Sequence, residues 1–130
     1  MNAQFCPRCF TRLPDNARQC VRCGLDPDAW ERDIPYAERL IHALGHPHSE
    51  VRMGAIIALG KRRETAACAA LLHCALVWPG DVIQGLEIVR ALRAMLPVAG
   101  AEHALARLGE EHPAHAVRTA ARIQEQEQTT

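Results

Sequence analysis

Aromatic side chains are scarce in this chain: two Trp, one Tyr and two Phe make up 4% of 130 residues. Alanine dominates the apolar set instead. Few aromatics and much alanine weigh against a sheet sandwich and favour close-packed helices. Charge of one sign is also lacking. Fifteen Lys and Arg balance fifteen Asp and Glu, whereas a general nucleic-acid binder would carry a basic stripe. No apolar run is long enough to span a bilayer, and no signal peptide is expected ahead of the first ordered segment. No nucleophile–base pair, phosphate loop or paired-carboxylate motif is visible, so an enzyme is not expected. The length suits one small domain and an appendage.

Four cysteines stand within the first 23 residues, as Cys6-Pro7-Arg8-Cys9 and Cys20-Val21-Arg22-Cys23. Each pair has C-x-x-C spacing, which places two sulfurs around one tight backbone bend. Two such pairs can close a tetrahedral thiolate cage on a zinc ion, with Zn–S bonds of about 2.3 Å. The competing readings are a disulfide pair or a redox site. A thioredoxin-like pair needs a βαβ context, and none follows. Cys6, Cys9, Cys20 and Cys23 are therefore expected to bind one structural zinc ion. Four cysteines fill the coordination sphere and leave no position for a water or substrate. So short a segment cannot bury enough apolar surface alone, and the metal must supply its folding energy. Between the pairs, Thr11 to Ala17 reads as a short strand running into a Pro-Asp-Asn turn. Gly24 follows the second pair, where positive φ is needed.

The run Phe5-Cys6-Pro7-Arg8-Cys9 … Leu13-Pro14-Asp15-Asn16-Ala17-Arg18-Gln19-Cys20-Val21-Arg22-Cys23-Gly24 resembles the bacterial zinc-ribbon domain. That family's pattern is roughly C-P-x-C-G … L-P-x-x-A-x-F-C-x-x-C-G. Phe10 stands where the family has glycine, and Gln19 where it often has an aromatic. The resemblance covers residues 1–25. It implies a small accessory module, often fused to something else, with protein or nucleic-acid partners, and does not imply an enzyme.

Residues 26–35 carry two prolines and four acids and read as a linker, a poor helix. Trp30 is the exception in it. It is expected to staple the ribbon onto the next element, the alternative being a platform for a stacked ligand.

From Tyr36 the apolar pattern turns helical and repeats. His46-Pro47-His48-Ser49-Glu50-Val51-Arg52, Trp78-Pro79-Gly80-Asp81-Val82-Ile83-Gln84 and His112-Pro113-Ala114-His115-Ala116-Val117-Arg118 place their prolines 32 and then 34 residues apart. A period near 33 is a solenoid signature. Each unit reads as a helix pair. In unit one, Ala37, Leu40, Ile41 and Leu44 mark the first helix. Val51, Ala55, Ala58 and Leu59 mark the second, from a Ser49 cap to Gly60. Residues 36–123 thus hold three helix pairs, and 124–130 form a flexible tail. The fold class is mainly α: a short solenoid behind a small ribbon.

The stretch Pro47-His48-Ser49-Glu50-Val51-Arg52-Met53-Gly54-Ala55-Ile56-Ile57-Ala58-Leu59-Gly60 resembles the short HEAT-like repeats related to phycobilin lyases, whose pattern is roughly D-P-x-x-V-R-x-x-A-x-x-A-L-G. His46 stands at the aspartate. The resemblance implies structural roles for Arg52 and Arg118, in a family where aspartate and arginine form a ladder between repeats. Lyase activity does not carry over, since fold does not fix function.

Cys68 and Cys74 are expected to be small core residues. His42 with His46 has metal-ligand spacing, but His46, His48, His112 and His115 read as solvated loop histidines. Lys61-Arg62-Arg63 reads as a basic run past a helix end, complementing the dipole. The expected function is protein binding in the cytoplasm, on the surface of the helical repeats. The alternative is nucleic-acid binding through Arg8, Arg12, Arg18, Arg22 and the Lys61–Arg63 run. The third unit lacks an evident polar cap, so self-association through an open solenoid end is a further expectation.

Overall fold

The computed structural model describes residues 4–122; the tail expected over 124–130 lies outside them. Two short strands and seven α-helices are present among the described residues. Strand β1 (Gln4–Phe5) pairs antiparallel with β2 (Arg12–Leu13), in the register Gln4 to Leu13 and Phe5 to Arg12. Leu13 is buried with Cys6 and Cys20 in a small core of its own. The turn after β2 closes with the Ala17 amide on the Pro14 carbonyl, 3.2 Å, and Asn16 takes a left-handed φ of 67°.

The segment expected to be a poor helix folds as α1 (Pro27–Asp33). Position within the segment explains the difference. Asp26 is the N-cap, its side chain accepting the amides of Asp28 (2.9 Å) and Ala29 (3.4 Å). Pro27 opens the first turn, where its missing N–H costs nothing and its fixed φ suits the helix. Asp28 lies in that same turn, near the positive end of the helix dipole.

Three helix pairs follow: α2 (Tyr36–Ala43) with α3 (Ser49–Arg62), α4 (Cys68–Val77) with α5 (Val82–Ala94), and α6 (Ala99–Glu111) with α7 (His115–Arg122). A 3₁₀ turn (Thr65–Ala67) leads into α4. The second helices α3, α5 and α7 pack side by side as one layer, and α4 and α6 pack behind them. One continuous core runs between the layers, from Leu44 through Ile56, Leu59, Leu71, Ile88 and Leu92 to Leu105, Leu108 and Val117. No pair could bury its apolar stripe alone, so each stacks on its neighbour. Cys68 and Cys74 are buried free thiols in that core, as expected. Burial pushes the Cys74 thiol up to about 11.

Helix α3 outruns its expected end. It passes through Gly60 and stops at Arg62, and its N-cap is His48 rather than Ser49. Gly60 serves packing instead. A Cβ built there would lie 3.0 Å from the Ala91 Cβ, so α3 and α5 can approach only because it is missing. The helix closes with Arg63 in the left-handed region, φ 50°. The Arg63 amide bonds the Gly60 carbonyl, and the Glu64 amide the Leu59 carbonyl, a Schellman closure without glycine. Lys61 and Arg62 are therefore the last turn of α3 rather than a run beyond it.

The expected uncovered apolar end is not found among the described residues. Large exposed apolar side chains fall on α2, α3, α4, α5 and the ribbon, and none on α6 or α7. Outward positions of α7 are His115, Ala116, Thr119 and Arg122, so the third pair supplies its own polar cover.

Candidate metal centre

Both cysteine knuckles use one bonding scheme. In the first, the Cys6 amide donates to the Thr11 carbonyl (2.9 Å) and the Phe10 amide to the Cys6 carbonyl (2.8 Å). In the second, the Cys20 amide donates to Leu25 (2.8 Å) and the Gly24 amide to Cys20 (2.9 Å). The residue after each pair must turn left-handed: Phe10 has φ 65° and Gly24 φ 78°. Glycine does this freely, whereas a phenylalanine loses about 1 kcal/mol.

The fold brings all four predicted ligands together. The Sγ atoms of Cys6, Cys9, Cys20 and Cys23 lie within 4.8 Å of one another, and the cross-knuckle distances Cys6–Cys23 and Cys9–Cys20 are each 3.6 Å. A disulfide would need about 2.05 Å. A tetrahedral cage with 2.3 Å bonds sets its sulfurs about 3.8 Å apart. The quartet thus fits one metal ion bound by four thiolates.

The surroundings favour thiolates unevenly. The Thr11 hydroxyl sits 3.1 Å from Cys9 Sγ, and with the Thr11 backbone it draws the Cys9 pKa down to about 6. The Leu25 backbone lowers Cys23. Burial holds Cys6 up, at about 11, and a cation in the cage would offset that cost. The amides of Arg22 and Cys23 point at Cys20 Sγ, at 3.4 and 3.5 Å. Arg8 Nη2 donates to the Cys23 carbonyl at 2.9 Å and ties the two knuckles together. The supporting roles of Thr11 and Arg8 escaped the sequence reading, which placed Arg8 only among the alternative nucleic-acid contacts, because nothing in C-x-x-C spacing marks the residues that brace a knuckle.

The ribbon is seated on the first helix pair. Phe5 meets His46 edge-on and His48 at a tilt, with ring centroids 5.1 and 4.8 Å apart. Phe10 stacks on His42 (5.1 Å) and His46 (5.0 Å). His42 Nε2 bonds the Arg8 carbonyl at 2.6 Å. Trp30 packs on the same residue, its ring 5.1 Å from His42, and so joins α1 to α2. His42 and His46 are therefore packing surfaces for the ribbon. Among the described residues the four cysteines form the single group placed to hold a metal.

A family model for HEAT repeats matches residues 27–93, just over half of the chain. The chain belongs to the HEAT-repeat family. Neither the comparison with curated proteins nor that with solved structures gives a match.

The HEAT loops correct the reading of the histidines. His46 and His112 are buried, 6% and 1% exposed, while His48 and His115 are open to solvent. The buried pair hold equivalent places in the first and third units. His46 Nδ1 accepts the His48 amide and His112 Nδ1 the Ala114 amide, both at 3.0 Å. Each imidazole thus does locally what an aspartate carboxylate does in an Asx turn. Burial lowers the pKa of both. The recurrence of His-Pro in one register was the available signal.

The arginine six residues after each of these histidines closes the loop. Arg52 Nη1 donates to the carbonyls of His46 (2.8 Å) and Pro47 (3.0 Å). Arg118 Nη1 does the same to His112 and Pro113, both at 2.8 Å. In the second HEAT unit Trp78 and Gln84 hold the corresponding places. Among the described residues the inter-repeat ladder is present as one rung, at Arg52. Arg52 Nε donates to Gln84 Oε1 at 2.6 Å, Arg52 Nη2 lies 3.7 Å from Asp81 Oδ2, and the guanidinium lies 3.8 Å from the centre of the Trp78 ring.

Proposed function

We propose that this protein is a non-catalytic adaptor, with a zinc-stabilised ribbon seated on HEAT repeats that dock another protein. The observation that carries the reading is the match to HEAT repeats, a family whose stacked helix pairs generally mediate protein–protein interaction. Three supports accompany it. The cysteine quartet has the spacing of a closed four-thiolate site, the form in which zinc is structural. The ribbon rests on α2 and the loop before α3, and so covers the first end of the repeat stack, as a capping unit must. No helix among the described residues is long and apolar enough to cross a membrane. Reduced zinc thiolates suit the cytoplasm.

The test is an affinity pull-down from native lysate, with and without nuclease, read by mass spectrometry alongside the metal content of the bait. The expected result is one zinc per chain and a discrete protein partner that survives nuclease. Recovery that vanishes with nuclease, with binding that falls steeply with salt, would transfer the function to nucleic acid, the ribbon arginines Arg8, Arg12, Arg18 and Arg22 and the Lys61–Arg63 run.

A further inference from the structure

Helices α3 and α5 run side by side in the same sense. Arg52 meets Gln84 towards their N-terminal ends and Gly60 meets Ala91 towards their C-terminal ends, offsets of 32 and 31 residues. At the second contact the backbones are close, since a Cβ on Gly60 would lie 3.1 Å from the Ala91 Cα. Small residues therefore floor a cleft of about 450 Å³ between the helices. Three cations line it, Lys61, Arg63 and Arg90, against one acid, Glu87. None of these three cations forms an ion pair among the described residues, whereas the neighbouring Arg62 is engaged by Glu64.

Apolar side chains continue the same face towards the helix N-termini. Ile57 borders the cleft and is 38% exposed, and beyond it on α5 stand Leu86, also 38%, and Ile83, 73%. Gly54, one turn before Ile57, is an independent sign. It sits mid-helix and exposed, and a Cβ built on it would meet nothing within 4 Å. A glycine there costs about 1 kcal/mol of helix stability with no internal packing to justify it. Its bare backbone does let another chain approach closely.

We propose that this face binds an acidic amphipathic segment of a partner protein. Apolar side chains of the segment cover Gly54, Ile57, Ile83 and Leu86, and its carboxylates reach Lys61, Arg63 and Arg90. The inference rests on the adaptor reading above. Two features favour peptide over nucleic acid. Glu87 lies among the cations, where a phosphate backbone would meet it, and the residues lining the cleft with Ile83 and Leu86 beyond it include no ring on which a base could stack.

The test is panning of the full zinc-loaded chain against a random 16-residue peptide display library. Enriched peptides are then titrated on the parent and on the Arg90→Glu and Ile83→Asp variants. Both positions are exposed, and helical signal and metal content check that each variant folds. Enriched peptides combining apolar and acidic residues, with affinity at least tenfold weaker on each variant, are expected. Peptides that bind parent and variants alike would overturn the proposed face while leaving the adaptor reading intact. No enrichment would also overturn the face, with the adaptor reading then decided separately by the lysate partner. An oligonucleotide that binds in place of peptide and is lost with Arg90→Glu would overturn both.

Discussion

Arg52 reaches from the first HEAT unit into the second and donates its Nε–H to Gln84 Oε1 across 2.6 Å, with both side chains buried. Every part of the guanidinium is used: two loop carbonyls, the Asp81 carboxylate and the face of Trp78 share it with Gln84. Asp81 in turn caps α5 through the Gln84 amide, 3.0 Å. The rung therefore couples the turn of one repeat to the helix start of the next. Among the described residues it ends there, because Gln84 Nε2 has no hydrogen-bond partner in them.

Arg52→Ala should destabilise the fold by about 3 kcal/mol, since buried acceptors in two repeats lose their donor together. Urea unfolding followed by circular dichroism measures it. Arg118→Ala should cost markedly less, because its two acceptors lie within one loop and Arg118 is only part-buried. Equal midpoints for the two variants would contradict the rung.

Cys20→Ser should lose the metal and the ribbon while the helical signal survives, because the ribbon has its own small core apart from the repeat core. Metal analysis and far-ultraviolet circular dichroism decide it. Collapse of most helicity would mean that the two parts fold as one unit.

His112 is held neutral by burial, below the ordinary histidine value of 6.5. The unfolded chain therefore takes up a proton that the folded chain resists. The contribution to stability is complete above pH 6.5 and is lost as the pH falls from 6.5 towards the lowered folded value. His112→Asn keeps a side-chain acceptor for the Ala114 amide but does not titrate. Between pH 7.5 and 5.5 its melting temperature should fall less than that of the parent. Comparing the two at each pH cancels any loss of metal from the thiolates, and parallel curves would show that His112 does not contribute.

Three glycines should respond differently to alanine. Gly54→Ala meets open space and should stabilise the fold by about 0.5–1 kcal/mol. Gly85→Ala would bring a Cβ within 2.8 Å of Val117 Cγ2, and Gly60→Ala one within 3.1 Å of the Ala91 Cα. Both should lose about 1–3 kcal/mol despite the better helix former. Thermal melts of the three variants give the order, and a destabilised Gly54→Ala would indicate an unseen contact on that face.

Phe10→Gly should relax the left-handed turn and leave metal binding intact, yet loosen the ribbon from the repeats. The ring it removes packs on His42 and His46, and a Cβ on Gly45 would sit 3.4 Å from that ring. Faster amide hydrogen exchange in α2, with unchanged zinc stoichiometry, is the expected signature. Unaltered exchange would assign the seating to Phe5 and to the bond between His42 and the Arg8 carbonyl.

Local information was enough to read much of this molecule. Cysteine spacing marked the four thiols that the fold brings together, because a C-x-x-C turn needs no distant partner to aim its sulfurs. The recurrence of Pro47, Pro79 and Pro113 and the spacing of apolar residues marked three helix pairs, because amphipathic periodicity is carried by consecutive residues. Counting prolines and acids without weighing their places missed α1, where Asp26 and Pro27 stand at the very positions that start a helix. What depended on the arrangement of remote segments was settled in three dimensions alone. His46 meets the ribbon's phenylalanines, and the left-handed Phe10 is tolerated because helix α2 receives its ring. Gly60, which looked like a helix stop, is a contact point because Ala91 lies against it. Periodicity states which face a helix buries; only the stacked repeats state what that face meets.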